Sequence, residues 1–173
     1  MLSNERIKEA QSNVKLYLAD GLLKKEKRNE LIFQTYMRNH TESLLVAKKL
    51  FNDNISPLWV VVTSYYSMFY ISNAMIYTLG YKVGPKVAHK VTSDALIVLV
   101  RNKLKDHLIE DYELASNEAL TLSDNLLQNY DLERVKRSAF QYESTDEIKR
   151  AKAKTSLERA EQFSMEMEKL ILG

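Results

Sequence analysis

A chain of 173 residues at formal net charge +2 suffices for one domain with a sizeable hydrophobic core, and its 45% hydrophobic content is ordinary for such a core. Four glycines and two prolines are too few turn residues for a many-turned β-sandwich or a glycine-rich nucleotide-binding α/β fold. The absence of cysteine excludes disulfides, thiolate metal sites and cysteine nucleophiles.

The first residues, MLSNERIKEAQSN, carry none of the basic segment, apolar stretch and small-residue cleavage site of a secretory signal, which predicts a cytoplasmic protein. Asn4 or Ser3 can cap a first helix in which Ile7, Ala10, Val14, Leu18 and Leu22 recur at three- to four-residue spacing and share a face. That helix is expected to fray near Gly21. After the basic residues Lys24, Lys25, Lys27 and Arg28, a second helix runs to Phe51, with Leu31, Tyr36, Leu44, Ala47 and Leu50 as its apolar members. Asn52 to Ser56 is read as a turn, and Pro57 suits a first helical position after Ser56 as cap.

The third helix reaches Leu79, and from Ile55 through Tyr81 there is no charged residue. A membrane span needs about 20 mostly apolar residues. Here Thr63, Ser64, Ser67, Ser72, Asn73 and the tyrosines Tyr65, Tyr66, Tyr70 and Tyr77 interrupt the run, as suits the inner helix of a bundle, so no membrane contact is expected. Gly80 stops this helix, and Tyr81 to Lys90 is expected to be a loop holding Gly84 and Pro85. A fourth helix is expected over Val91 to His107 or further, and another within Asp111 to Asn129. Asp131 to Tyr142 extends that helix or adds a short one. Ser144 or Thr145 can cap the last helix, with Glu147 as a capping-box partner. Its Ala153, Leu157, Ala160, Phe163, Met167 and Leu170 form a core stripe as far as Leu170. The pattern predicts a single domain over 1–173, an all-α, mainly antiparallel bundle of five or six helices burying Trp59, Val62, Tyr66, Phe69, Phe163 and Leu170.

His40, His89 and His107 are the only histidines, and without cysteine or an HExxH spacing neither a metal site nor another cofactor is expected. The most specific chemical constellation is RNKLKDH, Arg101 to His107. On a continuous helix a six-residue separation puts Arg101 and His107 on different faces, whereas a helix start or bend between them can bring their tips together. Converged, histidine can move protons near neutral pH while arginine neutralises charge on a phosphate. The alternative is that Arg101, Lys103, Lys105 and His107 form an ordinary polar face after the apolar run Ala95 to Val100. Tyr65, Tyr66, Phe69, Tyr70 and Tyr77 suit core or subunit contacts better than base stacking, because so many exposed rings would be adhesive.

The segment SYYSMFYISNAMIYTLGYKVGPKVAHK resembles the HEPN-domain proteins, in particular a small prokaryotic branch with a YYxMF helix followed by a glycine loop and a histidine. Tyr65, Tyr66, Met68 and Phe69 carry the match, His89 stands as the histidine, and KRSAFQYES looks like that branch's arginine-to-DY motif, with Arg137 and Tyr142 in the matching positions and Gln141 where aspartate is common. The resemblance covers residues 38–172 and leaves 1–37 as an N-terminal helical addition. It implies an antiparallel bundle, usually a homodimer, often paired with a small nucleotidyltransferase in toxin–antitoxin systems. Many relatives are metal-independent ribonucleases with an Arg-x4–6-His motif at the dimer groove, a spacing that Arg101 and His107 fit. On that implication His107 is the general acid or base for attack by a ribose 2′-hydroxyl, Arg101 stabilises the phosphorane and Asn102 orients the phosphate or the histidine. Lys90, Lys103 and Lys105 would then contact single-stranded RNA. The branch's own arginine aligns later, at Arg137, which no histidine follows. The alternative expectation is therefore a non-catalytic HEPN dimer that binds a nucleotidyltransferase or another protein, with a pocket of Tyr65, Tyr66, His89, Arg137 and Tyr142.

Overall fold

The computed structural model describes residues 2–133 and 146–173. Among them are six helices: α1 (Asn4–Ala19), α2 (Glu30–Asn52), α3 (Pro57–Thr78), α4 (Ala88–Leu99), α5 (Asp106–Glu133) and α6 (Asp146–Leu172). They pack as an all-α bundle around α3, which lies against α2 and α6 along its length and also touches α4 and α5. No helix among the described residues is long and apolar enough to cross a membrane. The expected caps Ser144 and Thr145, and most of the Asp131 to Tyr142 segment, lie outside the described residues.

Local chemistry sets the starts of α1, α2 and α3. The Ser3 hydroxyl accepts from the Arg6 N–H at 3.1 Å, and the Asn29 side chain accepts from the N–H groups of Leu31 and Ile32, each relieving donors that have no partner within the helix. Pro57 opens α3 as expected, but Ser56 makes no side-chain capping bond and sits at φ 34. The uncharged α3 carries its polar residues into the core by satisfying them internally: Ser72 donates to the Met68 carbonyl, Thr78 to that of Ala74, and Asn73 to that of Phe69 and to the Thr92 hydroxyl.

Gly21 (φ 70) and Gly80 (φ 87) turn the chain out of α1 and α3 in a conformation that side chains resist. The segments beyond them, β1 (Leu23–Lys25) and β2 (Tyr81–Val83), pair antiparallel with Leu23 opposite Val83. This ribbon replaces the expected Tyr81 to Lys90 loop, and α4 begins at Ala88 rather than Val91. Three-residue strands carry too little alternation to register against the helical pattern around them.

The expected fourth helix through His107 does not form. It stops at Leu99, a 3-10 turn occupies Arg101–Lys103, Leu104 is extended, and α5 starts at Asp106. The apolar residues Leu96, Val100, Leu104 and Leu108 keep a four-residue period across the break, so the periodicity reads as one helix. A continuous helix from Ala88 to Glu133 would be about 69 Å long at 1.5 Å per residue, against about 33 Å for α3, and could not keep its apolar face on one core. The bend returns Leu108, Ile109 and Tyr112 to the core that Leu96, Ile97 and Val100 already line.

Helical phase differs from the apolar pattern at three places. Trp59, expected in the core, is 50% exposed, and Leu31 is 77% exposed. Phe33 is buried instead on α2, with the Arg28 guanidinium 3.8 Å from its ring centre, and Tyr17 replaces Leu18 on α1. The α6 stripe is buried from Ala153 to Met167, Val62 and Phe163 are core residues, and Tyr66, Phe69 and Leu170 are partly covered. A buried polar network fixes α1 onto α4 and α5. The fully buried Asp94 carboxylate pairs with Arg6 at 2.7 Å and accepts from Tyr17 at 2.8 Å and Asn13 at 3.0 Å, while Arg6 also binds Glu113.

Candidate functional site

His89 stands in the first turn of α4, where the β2–α4 connection delivers it onto the aromatic side of α3. Its Nδ1 lies 2.7 Å from the hydroxyl of the fully buried Tyr65. The Ser116 hydroxyl of α5 donates to the Tyr65 oxygen at 3.1 Å, and in the tautomer with the imidazole proton on Nε2 the Tyr65 hydroxyl donates in turn to Nδ1. The imidazole packs 4.5 Å from the Phe69 ring centre, 5.5 Å from Tyr65 and 5.9 Å from Tyr66. Burial pushes His89 below its ordinary value, and burial pushes the Tyr65 phenol up to about 12. Tyr112, whose ring is 5.9 Å from Tyr65, is likewise raised by its complete burial. At neutral pH the group is a chain of uncharged hydroxyls ending on a neutral imidazole.

The connection into α4 is strained. Val87, 60% exposed, holds φ 45 immediately before the helix, and no side chain caps α4. A β-branched residue in this region costs about 1–3 kcal/mol.

Arg101 and His107 fall in separate elements, and among the described residues no hydrogen bond joins them. Arg101 is half-buried in the 3-10 turn, its buried Nε without a hydrogen-bond partner. Asn102, Lys103, Lys105 and His107 are exposed. The His107 Nε2 lies 3.3 Å from the Gln162 amide nitrogen of α6. Lys105 faces α6 as well: Glu166 is held below the ordinary carboxylate value chiefly by its bond from Lys169, with the charge of Lys105 adding to it. Lys90 is exposed at the opposite end of α4, about 16 Å along the helix from Arg101, so the three lysines do not form one cluster. Arg137 and Tyr142, the remaining members of the expected pocket, lie outside the described residues. Tyr65, Tyr66 and His89 do come together.

Two polar groupings escape a reading of spacing alone. Ser116 and Tyr112 behind Tyr65 look like ordinary α5 residues in sequence. His40 is likewise engaged across the fold: its Nδ1 lies 2.8 Å from the Ser67 hydroxyl and its Nε2 3.3 Å from a Glu168 carboxylate oxygen. The order serine, histidine, carboxylate resembles a hydrolytic triad, but Ser67 is fully buried within α3, where no substrate can reach it. The grouping ties α2, α3 and α6 together.

One side of α3 remains partly open. Trp59, Tyr66 and Tyr70 recur at i, i+7 and i+11, and the rings of Tyr66 and Tyr70 are 6.1 Å apart. Near the α2–α3 turn, Leu50, Phe51, Ile55, Val60 and Ala153 line a shallow depression, open to solvent, that encloses about 10 Å³, far below the several hundred Å³ typical of ligand pockets. Among the described residues no group of three or more histidines and carboxylates is gathered as a metal site would require. No family model, curated protein or solved structure matches the chain.

Proposed function

We propose that this chain is a HEPN-like binding module of the cytoplasm, which pairs with a second copy of itself through the aromatic face of α3 and holds a nucleotidyltransferase or another protein. The carrying observation is the half-exposed Trp59 in line with Tyr66 and Tyr70 on a helix with no charged residue. A two-fold axis sets a surface against its own copy, and an uncharged aromatic face can be doubled without like-charge repulsion. The HEPN resemblance of the Tyr65, Tyr66, Met68 and Phe69 segment supports the same reading. Trp59→Ala removes an exposed ring and should leave the fold intact. It is expected to weaken self-association by about thirtyfold, the effect of an interface anchor worth about 2 kcal/mol. Analytical ultracentrifugation across a concentration series measures this, and a wild-type chain that stays monomeric at micromolar concentration refutes the dimer.

A second reading, a metal-independent endoribonuclease and toxin component, is favoured by the exposure of Asn102, Lys103 and Lys105 on the α4–α5 connection and of His107 in the first turn of α5. Arg101 and His107 would have to close on each other around single-stranded RNA, giving a 2′,3′-cyclic phosphate. The binding-module reading predicts no cleavage in excess chelator by the wild type, R101A or H107A. Cleavage by the wild type that both variants lose would establish the ribonuclease instead.

A further inference from the structure

We propose that His89 is a proton-operated latch on the aromatic face of α3, seated while its imidazole is neutral and released when it takes up a proton. The proposal rests on reading that face as the docking surface, and it adds how docking would be regulated.

Seated, the imidazole covers Phe69 and Tyr66 and accepts from Tyr65, whose oxygen Ser116 holds. The titratable groups around it are Tyr65 and Tyr66 from α3 and, behind Tyr65, Tyr112 from α5. On its own segment the charges are the exposed Lys86 and Lys90, and among the described residues no carboxylate contacts it. The partly desolvated seat disfavours the protonated form, and a cation is also unfavourable at the helix N-terminus. A proton on Nδ1 would also end the bond in which that nitrogen accepts from Tyr65 and would require the hydroxyl to turn away.

The release route is built into the connection. The first turn of α4 lacks a side-chain cap and follows a valine at φ 45, so unwinding that turn relaxes Val87 as His89 leaves. The Phe69 and Tyr66 rings then lose their cover, and the face changes shape where a partner would sit. The sign follows from linkage: the seated histidine binds a proton more weakly than a free one, so the latch is fully closed above about pH 6.5 and opens as pH falls below it.

The test is an NMR titration of the full chain from about pH 8 to about pH 5, at concentrations below any self-association. Ring signals of His89, Tyr66 and Phe69 are expected to move together with one midpoint below about 6.5, and amides 87–91 to exchange about tenfold faster at the acid end after correction for intrinsic rates. Tyr65→Phe keeps the ring and removes the hydrogen bond, and should raise that midpoint. His89→Phe should fill the seat and leave the Tyr66 and Phe69 signals, and any self-association, independent of pH. A His89 titration that leaves Tyr66 and Phe69 unmoved, or a midpoint unaltered by Tyr65→Phe, overturns the latch. A chain monomeric at every pH whose ring signals still follow His89 supports the latch and removes the docking reading alone.

Discussion

Asp94→Ala is expected to destabilise the fold by about 3–5 kcal/mol, the range found when one partner of a buried ion pair is removed, and to lower the melting temperature by roughly 10 °C for a chain of this size. The Asp94 side chain is entirely shielded from solvent and receives the Arg6 guanidinium at 2.7 Å, the Tyr17 hydroxyl at 2.8 Å and the Asn13 amide at 3.0 Å. Alanine takes the acceptor from the Tyr17 hydroxyl and the Asn13 amide and removes one of the carboxylates that hold Arg6. Their dependence on the carboxylate shows in their acidities: burial raises the Tyr17 phenol and Asp94 raises it further. For Arg6, burial lowers the value, and the bonds to Asp94 and Glu113 more than offset it. Glu113 remains to hold Arg6 in the variant, through bonds of 2.9 and 2.7 Å, so α1 should loosen from α4 while staying attached at α5. Asp94→Asn keeps the volume and an acceptor and should cost about 1–3 kcal/mol. In urea unfolding the alanine variant should shift the midpoint with little change in slope, and a loss under about 1 kcal/mol would show that the network contributes little.

Phe163→Ala is expected to cost about 3–5 kcal/mol by combining lost apolar burial with a residual cavity. Phe163 is fully buried on α6, its ring 5.6 Å from that of Tyr112, between Ala160 and Met167 on the stripe that packs against α3. Tyr112 is also fully buried and next to Tyr65, so collapse into the cavity would disturb the hydroxyl chain that reaches His89. Phe163→Leu should recover most of the stability. Thermal unfolding followed by circular dichroism ranks the three proteins, and the alanine variant should also move the His89 ring signals. Equal melting temperatures for wild type and alanine variant would place Phe163 outside the stabilising core.

The candidate site was legible only where its residues are neighbours in sequence. Tyr65, Tyr66 and Phe69 stand out as a dense aromatic group, and His89 follows after a glycine turn, so their meeting could be anticipated from a hairpin of helices. Ser116 could not, because it reaches Tyr65 from 51 residues away and carries no local mark. Glu168 is 128 residues from His40, and Asp94 is 81 from Asn13. Arg101 and His107 illustrate the converse: a local spacing suggestive of chemistry became two elements with no bond between them, because α4 ends at Leu99.

What the sequence alone determined is the helical class, the starts of α1 and α3, and the inner position of α3. Those rest on short-range physics: the side-chain cap at Ser3, Pro57 at the first position of α3, and an uncharged stretch whose serine, threonine and asparagine side chains bond back to their own helix. The tertiary structure alone decided which face of each helix is buried, where the long apolar period breaks, and that Leu23 pairs with Val83. The physical reason is that apolar periodicity marks a stripe without saying what covers it or how long one core can be. Trp59 and Tyr65 are six residues apart on the same uncharged helix; only the packing of α5 and α4 buries Tyr65 beneath His89 and leaves Trp59 half in solvent.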